Sequence, residues 1–442
     1  MIASRTALAV TSLLLAAGPA AAAIVKGPML QDVRPDAITV VVETDDGAAC
    51  QIEWDDDFGR SDPLPGADQH AEGSLDGLQP STCYPYRVRC GDALSPAGSF
   101  CTAPAVDEPF RFVVLGDTRT QHQRHAEVAA AVAAEGVDFY INTGDLVSDG
   151  GNPDHWQSFF DIEAELLRNL PFYPVVGNHD EVDGEIPIYS RLFAVPPGSG
   201  SEHYYAFDYG NTRFLALDNQ AAPLGRPEDG SEQARWLEAE LARIEADPAL
   251  RHVFVLVHGN MYSADDGRSG DEGLRTWRDR FLQAGVDAVY SGHDHHYARG
   301  LADNGLPFAV AGGGGAPLYD FREGFETAGE PIEVSVWGWL PEPGDKPFTL
   351  LWTRKAHHYI LIEIAGDHVS ACAKEVPAGS ADPGVAFDCW EWGAAEDPGP
   401  DPDPDDPGKQ GGGCITGGTA SASLALLLCL AALGCLLRRR RG

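Results

Sequence analysis

The stretch FRFVVLGDTR, residues 110–119, sets a pattern that recurs through the middle of the chain. An apolar run of strand length is followed at once by Gly116 and Asp117, a turn residue and a carboxylate. An apolar run that ends in a polar group recurs in VDFYINTGD (137–145), FYPVVGNHD (172–180), HVFVLVH (252–258) and VDAVYSGHDHH (286–296), and a glycine precedes the polar group in all of these except 252–258. Each run predicts a buried strand that ends in a polar group.

Amphipathic helical stretches separate these strands. They are predicted over residues 121–134, 156–169, 232–245 and 274–284, with a further strand at 213–217. Alternating strands and helices are typical of a layered α/β domain.

The polar groups at the strand ends are candidate metal ligands. The carboxyl ends of strands in an open α/β sheet face a shared crevice, so these groups are expected to meet. The preceding glycines allow the chain to turn and to approach closely. Asp, Asn and His are ligands suited to Zn, Mn or Fe. The candidates are Asp117, Asp145, Asn178, His258, His293 and His295.

The ordered motifs GD, GD, GNH, H and GHxH resemble the signature of the calcineurin-like metallophosphoesterase superfamily, over about residues 109–365. The resemblance implies an α/β layered domain, a β-sandwich core flanked by helices. It also implies two divalent or trivalent ions, Zn, Mn or Fe, whose identity stays open. Such ions lower the pKa of a shared water and hold the phosphoryl oxygens during in-line displacement.

Carried over to this chain, the resemblance places Asp117 and His295 on the first ion. It places Asn178, His258 and His293 on the second, with Asp145 bridging both. His179 matches the general acid that protonates the leaving alkoxide, with Asp180 or another carboxylate orienting it. The alternative for His179 is a hydrogen-bonding role behind the ligands.

The chain departs from the family pattern at the first ion. Many relatives have D-x-H at the first motif, whereas position 119 is Arg, which cannot bind a metal. The tyrosine of the coloured purple acid phosphatases is replaced by Ser148. We therefore expect a looser first site, completed by water or His122, and no tyrosinate colour. Arg119 is expected either to hold a phosphate oxygen or to be solvated or salt-bridged.

Residues 24–105 have the short, alternating, β-branched runs of an all-β sandwich. GPMLQDV (27–33) and LDGLQPSTCYPYRV (75–88) resemble the fibronectin-III-like domain that precedes the catalytic domain in purple-acid-phosphatase-like proteins. The predicted catalytic domain is 106–393. Four cysteines in the first module predict two disulfides of undetermined pairing, and Cys372 with Cys389 predicts a third.

The two ends of the chain predict export and anchoring. Residues 1–23 have a basic start, a short apolar run and an Ala-x-Ala site, as in a secretory signal peptide. Residues 394–413 form a Pro/Asp/Gly linker, and 414–442 hold Cys414, an apolar stretch and an arginine cluster. This tail is either a membrane anchor or a sorting tail processed at Cys414. The predicted location is periplasmic or at the cell surface.

The formal net charge of −36 disfavours a nucleic-acid partner. The predicted partner is a small phosphate mono- or diester, and the sequence leaves the oligomeric state open. The leading hypothesis is a metal-dependent phosphoric ester hydrolase. The alternative is a catalytically weak surface binding or adhesion protein that retains the fold.

Overall fold

The computed structural model describes residues 23–221, 224, 230–334 and 347–393. Residues 1–22 of the predicted signal peptide, the predicted linker and the predicted tail lie outside the described residues. Among the described residues, no helix is both long and apolar enough to cross a membrane.

The N-terminal module consists of nine short strands in two sheets. One sheet has the order β1-β2-β6-β5; the other has β4-β3-β7-β8, with β9 paired to β7. Both sheets contribute to one buried apolar cluster, as in a sandwich. The strands are Ile24–Arg34 (β1), Ala37–Thr44 (β2), Cys50–Trp54 (β3), Arg60–Leu64 (β4), Gly66–Ala67 (β5), His70–Asp76 (β6), Cys83–Cys90 (β7), Ala93–Leu94 (β8) and Gly98–Cys101 (β9).

Disulfides join neighbouring strands. Cys50 pairs with Cys90 and Cys83 with Cys101, which resolves the pairing that the sequence leaves open. The third predicted disulfide, between Cys372 and Cys389, is also present.

The second part of the described chain contains fourteen strands and six helices. The strands are Phe110–Leu115 (β10), Phe139–Asn142 (β11), Phe172–Pro174 (β12), Tyr205–Tyr209 (β13), Thr212–Leu217 (β14), His252–Val257 (β15), Ala288–Ser291 (β16), Tyr297–Ala302 (β17), Pro307–Ala311 (β18), Ala328–Val334 (β19), Phe348–Arg354 (β20), His358–Ala365 (β21), His368–Glu375 (β22) and Val385–Trp392 (β23). The helices are His122–Ala133 (α1), Pro153–Asn169 (α2), Tyr189–Leu192 (α3), Glu232–Ala246 (α4), Glu272–Thr276 (α5) and Arg278–Ala284 (α6).

These strands form two mixed sheets. The six-stranded sheet has the order β12-β11-β10-β21-β22-β23, and the eight-stranded sheet has β13-β14-β15-β16-β18-β17-β20-β19. The motif-bearing strands β10, β11 and β12 pair in parallel in the first sheet, and β15 and β16 pair in parallel in the second. The predicted crevice is therefore built from two sheets, three motifs coming from one and two from the other.

Aromatic side chains fill the space between the two sheets. Phe112 of the first sheet packs edge-on against Phe214 of the second, with ring centroids 5.1 Å apart, and Phe139 contacts Phe214 at 5.5 Å. Phe254 on β15 also contacts Phe112. This packing fixes the two sets of strand ends relative to each other.

The predicted helices are present with small changes at their ends. In α2, the Asn152 side chain accepts a hydrogen bond from the Asp154 backbone, and Pro153 occupies the first turn. The helix predicted at 274–284 is interrupted at Trp277, which separates α5 from α6.

The N-terminal module contacts the second part of the chain through specific hydrogen bonds. Gln31 donates to the Phe172 carbonyl and accepts from the Ala194 backbone, while Tyr86 donates to the Arg168 carbonyl. Gln31 is buried although it is polar, and these bonds explain why.

Candidate metal centre

All six predicted ligands lie just beyond strand ends. Asp117, Asp145 and Asn178 follow β10, β11 and β12 of the six-stranded sheet, whereas His258 follows β15 of the eight-stranded sheet. His293 and His295 follow β16 in that same sheet. The structure brings ligands from the two sheets to one place.

Three of the ligands have unusual backbone conformations. Asp117, Asp145 and His293 have φ angles of 59°, 57° and 69°, in the left-handed region that residues other than glycine seldom occupy. Such strain persists where the surrounding structure enforces it, commonly at functional sites. The glycines beside them serve close approach: a Cβ on Gly177 would lie 2.1 Å from the Asp145 nitrogen, and one on Gly292 2.6 Å from Asp117 Oδ2.

One group of atoms consists almost wholly of hydrogen-bond acceptors. His258 Nδ1 lies 2.9 Å from the Thr143 carbonyl, to which it donates, so the neutral ring presents a lone pair at Nε2. That Nε2 lies 3.2 Å from Asn178 Oδ1, 3.3 Å from Asp145 Oδ1 and 3.2 Å from His293 Nδ1. Burial lowers the pKa of His293 to about 2, which keeps its ring neutral. Lone pairs converging in this way fit a cation between them.

A second group contains Asp117, Asp145 and His295, whose ligand atoms lie within 4.8 Å of one another. His295 Nδ1 donates to the Pro317 carbonyl at 2.7 Å, so Nε2 faces Asp117 Oδ1 at 3.2 Å with a lone pair. Asp117 Oδ1 is buried without a hydrogen-bond partner. An orphaned carboxylate oxygen beside an imidazole lone pair also fits a cation.

The Arg119 side chain contacts two members of this second group, Asp145 and His295. Its Nε donates to Asp145 Oδ2 at 2.9 Å, and its Nη2 lies 3.3 Å from His295 Nε2. Of the two expectations for Arg119, the ion pair is what the structure contains. The alternative ligand His122 is exposed at the start of α1 and is not part of the 4.8 Å group.

His179 lies beside the ligands and is half-buried. Its backbone nitrogen donates to Asp145 Oδ1 at 2.9 Å, and its Nδ1 lies 2.9 Å from the Ser148 carbonyl. A carbonyl can only accept, so Nδ1 carries a proton and Nε2 is left for a substrate.

Asp180 does not make the contact expected of it. Its Oδ2 accepts from the backbone nitrogens of Asp145 and Gly177, and its Oδ1 accepts from that of Val147. A main-chain carbonyl orients His179, and Asp180 instead connects the two turns that hold ligands. This corrects the expected contact. Sequence spacing cannot reveal it, because an Asp next to a His points elsewhere once the turn has formed.

The charges around Asp145 favour its ionised form. Burial opposes ionisation, but electrostatic interaction with the neighbouring His258, His179 and Arg119 side chains outweighs it and lowers the pKa of Asp145. Burial and the charge of Asp145 raise the pKa of Asp180 well above its usual value.

Two residues beside the ligands escape sequence reasoning. The Tyr319 ring stacks on His295 with centroids 4.0 Å apart, and the Arg268 guanidinium lies 5.0 Å from the Tyr319 centroid. Arg268 Nη1 also donates to the His293 carbonyl at 2.8 Å and to Asp294 at 3.2 Å. Arg268 lines a cavity of about 440 Å³ together with His293 and Asp294. It lies in a Gly/Ser/Asp-rich loop without periodicity, where no pattern marks it.

Comparisons with known proteins agree with this geometry. Residues 110–297 match the family model described as calcineurin-like phosphoesterase. The uncharacterised protein MT2654 of Mycobacterium tuberculosis is 31% identical over 261 residues, which cover 51% of this chain and 49% of that protein. Purple acid phosphatase 22 of Arabidopsis thaliana is 29% identical over 235 residues, which cover 50% of this chain and 51% of that protein. The chain thus spans about half the length of the curated relatives it matches.

Two solved structures share the fold. The yellow lupin purple acid phosphatase PPD1 has a TM-score of 0.66 at 18% identity, covering 84% of this chain and 74% of its own. PhoD has a TM-score of 0.60 at 14% identity, covering 86% of this chain and 92% of its own. At these identities the likeness concerns the fold alone. The region 110–297 that matches the family model contains all six strand-end ligands, so this part of the chain is similar to calcineurin-like phosphoesterases in both sequence motifs and fold.

Proposed function

We propose that this chain hydrolyses small phosphate esters at the centre formed by the six ligands. The observation that carries the proposal is the convergence of Asn178 Oδ1, Asp145 Oδ1 and His293 Nδ1 on His258 Nε2, all within 3.2–3.3 Å of it. The similarity to purple acid phosphatases supports the choice of phosphate esters. Mono- and diesters both remain within the proposal.

The proposed centre is dinuclear, with Asp145 between the two groups. Its Oδ1 lies against His258 and its Oδ2 against Arg119, so its two oxygens face different groups. When bound, divalent or trivalent ions such as Zn, Mn or Fe would supply activation of water and charge neutralisation at the phosphoryl group.

The chain's own residues then have distinct tasks. His179 is held through Nδ1 by the Ser148 carbonyl, which leaves Nε2 as the atom from which a proton would pass to the leaving alkoxide. Arg268, stacked over Tyr319 at the edge of the cavity, places a fixed positive charge where a phosphate or an anionic ester group enters. Asp180 keeps the Asp145 turn and the Gly177 turn in register.

We also propose that the protein is exported and held at the cell envelope by its C-terminal segment, as a periplasmic or cell-surface enzyme. Support comes from the signal-peptide pattern and the arginine-flanked apolar tail. Three disulfides are consistent with an oxidising compartment.

A two-substrate assay tests the proposed activity. Release of p-nitrophenol from the mono- and bis-p-nitrophenyl phosphates is measured with added Mn²⁺ or Zn²⁺, from acidic to alkaline pH. We expect metal-dependent release from at least one ester and its loss in Asp145→Asn. The exposed Asp183→Asn serves as a control. No metal-dependent release from either ester would favour a binding protein that retains the fold.

A further inference from the structure

The two ligand groups differ in whether a positively charged side chain contacts them. Around His258 Nε2, the neighbouring Asn178, Asp145 and His293 atoms at 3.2–3.3 Å are oxygens and an imidazole nitrogen. In the second group, by contrast, the Arg119 guanidinium contacts both Asp145 Oδ2 and His295 Nε2. The first group therefore has no cationic side chain among these contacts, whereas the second already contains the guanidinium of Arg119.

Arg119 is held firmly in this position. Its side chain is 14% exposed, and its backbone nitrogen donates to the Asp145 carbonyl at 3.3 Å. Its Nη1 lies 3.4 Å from Thr120 Oγ1, which in turn lies 3.2 Å from Ser148 Oγ. A half-buried guanidinium that is held by contacts of both its backbone and its side chain is an ordered part of the centre.

The guanidinium uses the atoms that a metal ion in this group would need. A hydrogen bond from Nη2 occupies the single lone pair of His295 Nε2, and Nε occupies Asp145 Oδ2. One lone pair cannot serve both partners, so metal binding here requires Arg119 to withdraw.

We propose that Arg119 is a built-in competitor of the metal ion at Asp117, Asp145 and His295. This inference rests on the proposed function. The centre binds one ion tightly at Asn178, His258, His293 and Asp145, and a second ion only by displacing Arg119. The displaced guanidinium then faces the mouth of the centre, where it is free to pair with a phosphate oxygen of the substrate.

Metal titration without substrate tests the proposal. Metal-depleted full-length protein is titrated with Mn²⁺ by calorimetry, and electron paramagnetic resonance distinguishes isolated from spin-coupled Mn²⁺. For the wild type we expect one tight ion giving an isolated signal, and a second, weaker ion that produces coupling. Since charged hydrogen bonds to two ligands are removed, Arg119→Ala should tighten the second ion by about tenfold or more.

Three further variants complete the experiment. Arg119→Gln keeps the side chain's bulk and should also tighten the second ion, in case the alanine variant folds poorly. Asp117→Asn should lose the weak ion and keep the tight one. Arg243→Ala, an exposed arginine on α4, removes the same charge far from the ligands and should leave both affinities unchanged.

The outcomes separate this inference from the proposed function. Two ions of equal affinity in the wild type, unchanged in Arg119→Ala and Arg119→Gln, would overturn the inference and leave the proposed function standing. Weaker binding of the second ion in both Arg119 variants would overturn it as well, since Arg119 would then support the ligands. Absence of any bound ion in all variants would overturn both.

Discussion

Replacing Asp180 with Asn tests whether this buried carboxylate holds two ligand-bearing turns together. It accepts backbone hydrogen bonds from Asp145 at 2.8 Å, Gly177 at 2.9 Å and Val147 at 3.2 Å. An amide has one oxygen, so at least one of these N–H groups would face an NH₂ group instead. Losing one hydrogen bond to a charged acceptor costs about 1.5–3 kcal/mol.

Part of this cost is offset, because the neutral amide no longer repels Asp145. The raised pKa of Asp180 reflects burial first and that repulsion second. We therefore expect Asp180→Asn to lower the free energy of unfolding by about 1–2 kcal/mol.

Urea denaturation of the metal-depleted protein, followed by circular dichroism, measures this change. Asp183→Asn, three residues further on and exposed, should stay within about 0.5 kcal/mol of the wild type. An unchanged unfolding midpoint in Asp180→Asn, together with a shifted pH–rate profile, would refute the reasoning. That result would restore Asp180 as the residue that orients His179.

Three further predictions concern the stability contributed by Glu53 at acid pH, the close packing of Gly177 and the disulfide between Cys372 and Cys389. The hydrogen bond from Arg89 outweighs the effect of burial and lowers the pKa of Glu53 to about 2. The ionised Glu53 therefore contributes its full stabilisation above pH 4.5, and this stabilisation is lost as the pH falls towards 2. Acid unfolding of Glu53→Gln should lack that component, and identical curves would contradict this. Gly177→Ala would place a Cβ 2.1 Å from the Asp145 backbone nitrogen, so hydrolysis of whichever p-nitrophenyl ester the wild type cleaves should be abolished. Wild-type activity in this variant would show that the Asp145 turn can move. Replacing Cys372 and Cys389 with Ala opens a loop with a sequence separation of 17 and should lower the free energy of unfolding by about 3 kcal/mol, as measured by thermal or urea unfolding. An unchanged free energy of unfolding would mean that strand pairing alone holds β22 and β23 together.

The position of the centre was predictable because each ligand comes immediately after an apolar strand. Hydrophobic runs predict strands, and parallel strands that end together bring their next residues together. Asp117, Asp145 and Asn178 illustrate this, since β10, β11 and β12 are adjacent and parallel. All six predicted ligands lie in the two groups described above.

The division of the ligands between two sheets was not predictable in the same way. The run that leads to His258 has the same character as the one that leads to Asp117, yet the two strands belong to different sheets. Their assignment depends on which strands pair late in the chain, such as β21 beside β10. Pairing across such a sequence separation leaves no local periodicity to read.

Side-chain contacts at the centre were the least predictable feature. Asp180 bonds to backbone nitrogens, and Arg119 reaches His295, which is distant in sequence. The glycine-rich loop 312–315 packs closely against its neighbours: Gly314 donates to the Gly116 carbonyl at 2.8 Å, and a Cβ on Gly313 would overlap His358. A glycine run signals close packing, whereas one polar residue does not disclose its partner.

X-ray absorption at the zinc edge, on protein loaded with one equivalent of Zn²⁺, tests the convergence of the ligands most directly. The structure predicts two imidazole nitrogens at about 2.0–2.1 Å from the metal, with one lost in His258→Gln and one lost in His293→Gln. A spectrum without imidazole ligands, or one that neither substitution alters, would contradict the assignment of the centre.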